Sequence, residues 1–401
     1  ATPAPTAPPA TAKTFVIGFT ASQTGTYNTE SMRQLHGLQL WLDDLKKAGG
    51  IKLKDGTVYM PDIKFYDDES KTDRIQSLYT KLFTDDKVDF SISPYSSGLT
   101  QSAAVVAEQY QKVMITTGAA SDTTMEQGYK TIYQIYTPAT RYLTGAVDLL
   151  AKLDPSIKKL AIVNEKDRFS TDVAAAAQAY AKGKGYDIVY SDGYDTGTTD
   201  FSAFINKITA ASPDAILGGG HFADGSTFAK QLFEKKVPVR FVSLLVAPPE
   251  DTFAQIGDGA QYIVGPSQWE PQVTYSADSA KAAGVPFYGI TVKDFVTNYK
   301  AKWNEDPSYH SAGGYAAGLV LQRAIEDAGS ADPAKVMAAL DKQDIMTFYG
   351  RINYLTDAKM HGKQAAHSMV YIQWQKDAAG KLAKQLVWPL EAKTADAQLR
   401  K

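Results

Sequence analysis

Serine and threonine hydroxyls set among small residues recur in three segments of this chain. They lie at 20–27, which ends on Tyr27; at 94–100, where Ser96 and Ser97 precede Gly98; and at 116–122, where Gly118, Ala119, Ala120 and Ser121 run together. Small residues let backbone N–H groups approach a ligand, and hydroxyls add further donors. Where such a segment opens a helix, the free amides favour an anion. A carboxylate is the natural guest. Three other segments carry larger groups: 164–170 with Asp167, Arg168 and Phe169, 218–224 with His221, Phe222 and Asp224, and 247–250 with Glu250. Any one of the six also reads as a helix cap or tight turn. Trp269 and Tyr315 are two further candidates for a pocket wall, although single aromatics of this kind also fill cores.

Chemistry beyond binding finds little support. The run Gly220-His221-Phe222-Ala223-Asp224-Gly225-Ser226-Thr227 has the outline of a phosphate loop, but Ser226 stands where the lysine belongs. There is no dinucleotide fingerprint and no Gly-x-Ser-x-Gly elbow. The five histidines (36, 221, 310, 361, 367) show no His-x-x-x-His spacing, and there is no cysteine. A serine–histidine–aspartate triad assembled from distant segments stays open. The expectation is a binding protein without cofactor, metal or catalytic residues.

The elements that must position these segments alternate regularly. A buried-strand run at 14–18 leads into a helix at 32–45, with Leu35, Leu38, Leu42 and Leu45 on one face and Gly49 and Gly50 at its end. Strands follow at 63–66, 88–93 and 113–117, with helices at 74–83 and 100–111. The same order restarts after 136–141, with strands at 160–163, 188–190, 215–217 and 241–246 and helices at 171–184, 201–211 and 225–235. Beyond about Pro266 come helices at 292–303, 312–329 and 333–340, then strand runs at 352–354, 369–374 and 385–390. Strands separated by helices imply right-handed crossovers and parallel sheets. The expected fold is α/β in two lobes, each a parallel sheet with helices on both faces and a cleft between them. Lobe one is 13–138 plus about 268–345, and lobe two is 139–267 plus about 346–392. All six polar segments follow strands, where open parallel sheets bind ligands.

At 401 residues the chain is long enough for two cores. A net charge of −2 offers no broad basic surface, which argues against nucleic acid as a partner. No run approaches the ~20 apolar residues of a membrane helix. Residues 1–12 are all Ala, Thr or Pro and read as a disordered spacer, while 393–401 reads as a polar tail. The numbering is expected to begin after a removed signal segment, with the spacer holding the domain away from a membrane anchor.

The run Tyr95-Ser96-Ser97-Gly98-Leu99-Thr100-Gln101, the run from Ile115 through Thr116, Thr117 and Gly118 to Asp122, and the pair Gly128-Tyr129 resemble the leucine/isoleucine/valine-binding protein family. These are the type I periplasmic solute receptors of ABC importers. The resemblance extends from about Lys13 to Leu390 and includes Gly49-Gly50-Ile51 and Asp200-Phe201-Ser202-Ala203-Phe204. It implies a monomeric, periplasmic or extracytoplasmic receptor, free or lipid-tethered, that closes by a hinge on a small carboxylate-bearing ligand and docks on an inner-membrane ABC permease. It places the ligand carboxylate on Ser97, Gly118 and Ala120, with Ser96 and Ser121 beside them, and aromatic positions at Phe169 and His221. Two departures stand out. Ala120 replaces a family threonine, and the family's carboxylate for a ligand ammonium falls near Leu244 and Leu245. Asp167, Asp224 or Glu250 would have to supply that charge. Otherwise an amino acid would be buried with its ammonium unpaired, which is strongly unfavourable. The expected ligand is an amino acid of branched-chain or related type, with an aromatic or aliphatic acid without an amine, or an amide, as the alternative.

Overall fold

From Phe15 onward the first apolar run is buried on both of its faces, as expected of a central strand in a sheet covered on two sides. In the computed structural model, which describes residues 12–400, it forms β1 (Lys13–Ala21). The first sheet contains β1, β2 (Ile51–Lys52), β3 (Val58–Asp67), β4 (Phe90–Ile92), β5 (Met114–Thr116) and β6 (Ile132–Gln134). Its order is β2-β3-β1-β4-β5-β6. All pairings are parallel except that of the edge strand β2. Helices α1 (Asn28–Lys47), α2 (Thr72–Thr84), α3 (Ser97–Gln109) and the single turn α4 (Asp122–Met125) connect these strands.

After α5 (Thr144–Leu153) the second sheet begins. It contains β7 (Lys159–Glu165), β8 (Asp187–Tyr194), β9 (Ala215–Gly219), β10 (Phe241–Leu244) and β11 (Ile263–Ser267), linked by α6 (Arg168–Gly183), α7 (Ser202–Ala211) and α8 (Phe222–Glu234). Helices α9 (Ala277–Ala282), α10 (Val292–Trp303), α11 (Tyr309–Ala328) and α12 (Pro333–Leu340) follow, then the hairpin β12 (Asp344–Thr347) and β13 (Gly350–Asn353). The chain ends with β14 (Val370–Lys376) and β15 (Leu382–Trp388), which add antiparallel to β11. The second sheet therefore reads β15-β14-β11-β10-β9-β7-β8.

Helix α11 lies directly on α1. A Cβ at Gly37 would fall 1.9 Å from the Ser311 carbonyl oxygen, one at Gly314 2.0 Å from that of Gln34, and one at Gly318 2.1 Å from the Trp41 ring. Three glycines thus allow two backbones to touch, which fixes the first turn of α11 against the mouth of the first sheet.

The two lobes are joined by three crossings, and buried polar groups tie these together. The Thr137 amide donates to Gln268 Oε1 at 2.9 Å, Gln268 Nε2 donates to the Tyr142 hydroxyl, and Thr137 Oγ1 meets His367 Nδ1 at 2.8 Å. The first two crossings fall close to the expected 138/139 and 267/268 boundaries. The third does not fall at 346. The hairpin bridges Phe287 through Met346, and the Gly362 carbonyl accepts from the Gln134 amide of β6. Residues 344–364 therefore stay with the first lobe, and the chain crosses beside His367. The run at 352–354 accordingly pairs within the hairpin and does not return to the second sheet.

The polar segment 393–400 packs against the second lobe: Gln373 and Gln375 donate to the carbonyls of Gln398 and Asp396, and the Arg400 amide donates to the Arg240 carbonyl. Most of the proposed spacer, 1–11, lies outside the described residues. Among the described residues no helix is long and apolar enough to cross a membrane.

Candidate ligand-binding site

The strand ends of the two sheets face each other, and a narrow cavity lies between them. Its wall from the first lobe is Tyr95, Ser96, Ser97, Gly118, Ala120 and Tyr136, with Tyr309 and His310 from the start of α11. The opposite wall is Tyr142, Phe169, His221 and Val246. Cross-lobe bonds show the lobes closed on one another. Tyr95 Oη lies 2.9 Å from His221 Nδ1, the Phe222 amide donates to Glu30 Oε1 at 2.9 Å, and Arg168 donates to Thr123 Oγ1 at 2.8 Å.

Helix α3 begins at Ser97, three residues earlier than the sequence spacing suggests. Ser96 is its N-cap: Ser96 Oγ accepts from the Leu99 amide, with φ at +79°. Ser97 Oγ accepts from the amides of Ala120 and Ser121 at 3.2 and 3.0 Å. The Ala120 amide, which the family resemblance assigns to the ligand, is thus already held by Ser97. With its lone pairs engaged, the Ser97 hydroxyl has its proton left to offer, and that makes it a donor to an anion.

Other candidates divide clearly. Ser121 Oγ reaches across to Asp172 and does not line the cavity, and Ala119 is buried beside it. Tyr27 packs against His221 with ring centroids 4.8 Å apart and the rings tilted by 59°, and it lines a neighbouring pocket. Trp269 and Tyr315 are core residues. Both pack edge-on against Phe295 and Phe348, with Trp269 Nε1 donating to the Phe348 carbonyl and the Tyr315 hydroxyl to Asp44.

None of the three acids considered as an ammonium partner lines the cavity. Asp167 Oδ1 caps α6 through the Ser170 amide, while Oδ2 accepts from His221 Nε2 at 2.7 Å. Asp224 accepts the His221 amide and the Tyr194 hydroxyl. Glu250 Oε1 accepts from His310 Nδ1 at 2.7 Å, with the Arg33 guanidinium 3.9 Å from its other oxygen. Burial would raise the Glu250 carboxyl, but the His310 hydrogen bond and charge and the Arg33 charge hold it below the ordinary value. Leu244 and Leu245 are fully buried in the core. The residue that does face the cavity from that connection is Val246, a β-branched residue held at φ +56°.

Burial opposes charge on His221, yet Asp167, Glu165 and Glu30 outweigh it and push the imidazole up to about 10. As an imidazolium it donates through Nε2 to Asp167 and through Nδ1 to Tyr95 Oη. The Tyr95 proton is then free for a ligand. Two further buried polar atoms on the wall, Tyr136 Oη and His310 Nε2, have no hydrogen-bond partner among the described residues. The cavity is therefore lined by rings and by hydrogen-bond donors, and it is apolar at Val246 and Phe169.

Sequence reasoning reached Ser97, Gly118, Phe169 and His221 because each follows a strand. It missed Tyr136 and Tyr142, which flank the first crossing, and Tyr309 and His310, which follow no strand. The serine-rich start of α11 at Ser308 is the one local signal for the last pair.

The fold has close relatives among solved structures. A branched-chain amino acid transporter substrate-binding protein of Streptococcus pneumoniae, in complex with isoleucine, matches with a TM-score of 0.75 and 22% identity over 94% of this chain and 99% of its own. An ABC-transporter solute-binding protein of Rhodopseudomonas palustris, in complex with 3,4-dihydroxybenzoic acid, matches with 0.77 and 22% over 96% and 98%. In sequence, the leucine-, isoleucine-, valine-, threonine- and alanine-binding protein of Pseudomonas aeruginosa is 24% identical over 370 residues, covering 92% of this chain and 91% of that protein. The periplasmic binding protein family model matches residues 14–380, and with the match including every wall of the cavity, the chain belongs to the periplasmic binding protein family.

Proposed function

We propose that this protein is the extracytoplasmic solute-binding component of an ABC importer, not an enzyme, and that its ligand is a small aromatic carboxylate without an amine. One observation carries the ligand class: among the described residues no carboxyl group lines the cavity, and the nearby acids Asp167, Asp224 and Glu250 are held by their own partners. The hydroxyls of Ser97 and Tyr95 hold the ligand carboxylate, with the His221 charge one bond behind. Tyr136, Tyr142, Tyr309 and Phe169 surround its ring, since ring pairs favour edge-on and offset contacts. The two lobes close over the ligand about the crossings at Thr137, Gln268 and His367, and the closed form is what a permease engages.

The aromatic-acid complex of the R. palustris relative supports this reading. The name of the P. aeruginosa relative favours a branched-chain amino acid instead, and that reading requires burial of an unpaired ammonium beside Val246. A thermal-shift panel of benzoate, 4-hydroxybenzoate, leucine, isoleucine and an aliphatic acid decides between them. At about 100 times its dissociation constant a true ligand stabilises the protein by about 2.7 kcal/mol. Shifts confined to the aromatic acids are expected. A shift with leucine or isoleucine and none with the acids would overturn the proposal.

A further inference from the structure

A second pocket of about 160 Å³ shares His221 with the first, and its lining includes Tyr27, Glu165, Thr198, Thr199 and Asp224. At its inner end Glu165, Asp167 and His221 each present one ligand atom, all within 4.8 Å of one another. His221 Nε2 lies 2.7 Å from Asp167 Oδ2 and 3.9 Å from Glu165 Oε2. Glu165 is 3% exposed, and among the described residues its Oε2 has no hydrogen-bond partner. A buried, unpartnered carboxylate oxygen aimed at an imidazole is costly unless something joins them. Four buried or half-buried acids, Glu30, Glu165, Asp167 and Asp224, surround this one imidazole, and among the described residues none of them pairs with a lysine or arginine.

We propose that Glu165, Asp167 and His221 form a binding site for a divalent metal ion of the Zn²⁺ or Mn²⁺ type, entered from the second pocket. Imidazole with carboxylates is a donor set suited to these ions. Metal–ligand bonds of about 2.0–2.2 Å place tetrahedral donors roughly 3.4 Å apart, a spacing bracketed by the two distances to Nε2. The ion takes the place of the proton that Nε2 shares with Asp167. The outer contacts that such a site needs are already built: Tyr95 Oη holds His221 Nδ1, and the Ser170 amide holds Asp167 Oδ1. Residues Glu165 and His221 are brought together because β7 and β9 are paired neighbours, with Asn164 opposite Gly219. Gly220 completes the arrangement, since a Cβ there would lie 2.5 Å from Glu165 Oε2. The threonines of the pocket leave room for water in the remaining positions.

The test is isothermal titration of the EDTA-dialysed full chain with ZnCl₂ and, separately, MnCl₂, with no organic acid present, so that its result is independent of the ligand proposed above. One ion per chain is expected for at least one of the two metals. Glu165→Gln and Asp167→Asn should each weaken it at least tenfold, while His361→Gln, remote from the site, leaves it unchanged. Far-ultraviolet circular dichroism and melting of each variant establish that it is folded. If Glu165→Gln does not fold, Gly220→Ala, which crowds the same carboxylate, takes its place. Absence of binding by both ions, or binding unaltered in folded Glu165→Gln, Gly220→Ala or Asp167→Asn, overturns the site.

Discussion

Ser97 has two duties, and its replacement should reveal both. Its Oγ is the acceptor for the buried amides of Ala120 and Ser121, and its proton is offered to the ligand. Ser97→Ala leaves two buried donors unpaired, a cost of about 1–3 kcal/mol for each if water does not replace the hydroxyl. It should lower the melting temperature and weaken acid binding at least tenfold in the same titration. A variant that melts as the wild type and binds normally would mean that Ser97 does neither. The hydroxyl was legible from sequence because a short polar run after a buried strand marks both a helix start and a ligand edge. The partner of that hydroxyl was not legible, since nothing in the run tells a ligand from the amide of Ala120. The same limit hid the Glu165–Asp167–His221 cluster, which comes from two strand ends far apart in sequence and so shows no local spacing of metal ligands. Trp269 and Tyr315 read as wall or core with equal ease. The aromatic packing around Phe295 and Phe348 decided for core.

At the scale of elements, the contact of α1 with α11 determines where Tyr309 and His310 stand. The regular spacing of strands and helices was read well from apolar periodicity, including α10 and α12 with the ends they show in the structure. What periodicity does not contain is which helix a late helix packs upon. That information sits in Gly37, Gly314 and Gly318, and it becomes visible only when the backbones are seen to touch. Gly314→Ala tests it by sign. Helix propensity alone predicts stabilisation by about 1 kcal/mol, whereas a Cβ placed 2.0 Å from the Gln34 carbonyl oxygen predicts overpacking that costs about 1–3 kcal/mol. Lower stability in denaturant titration is expected, together with weaker ligand binding as the start of α11 is displaced. Higher stability would show that the helices are free to separate. The third crossing was misplaced for a related reason: the 352–354 run is a good strand, but a strand pattern does not name its partner, and β12 is nearer than the second sheet.

The whole molecule is two lobes tied through Thr137, Gln268 and His367, so the chemistry of that junction governs closure. His367 Nε2 faces the Tyr349 carbonyl, which can only accept, so Nε2 carries the proton and Nδ1 accepts from Thr137. Burial pushes its pKa down to about 4 from the ordinary 6.5. Between those values the unfolded chain binds the proton and the folded chain does not, so stability is complete above pH 6.5 and declines as pH falls towards 4. The full loss is about 3 kcal/mol. Melting of the wild type should therefore drop between pH 7 and 5 by more than that of His367→Gln, and parallel curves would contradict the assignment. The closed arrangement also fixes what the cavity can accept, and here the account is most exposed. Isothermal titration of one preparation with 4-hydroxybenzoate and with leucine tests it most directly. The account predicts one site for the aromatic acid and at least hundredfold weaker binding of leucine, because the ammonium finds no carboxylate in a wall whose nearest residue is Val246. Leucine binding more tightly than the acid would contradict it and would require Asp167, Asp224 or Glu250 to leave its present partner.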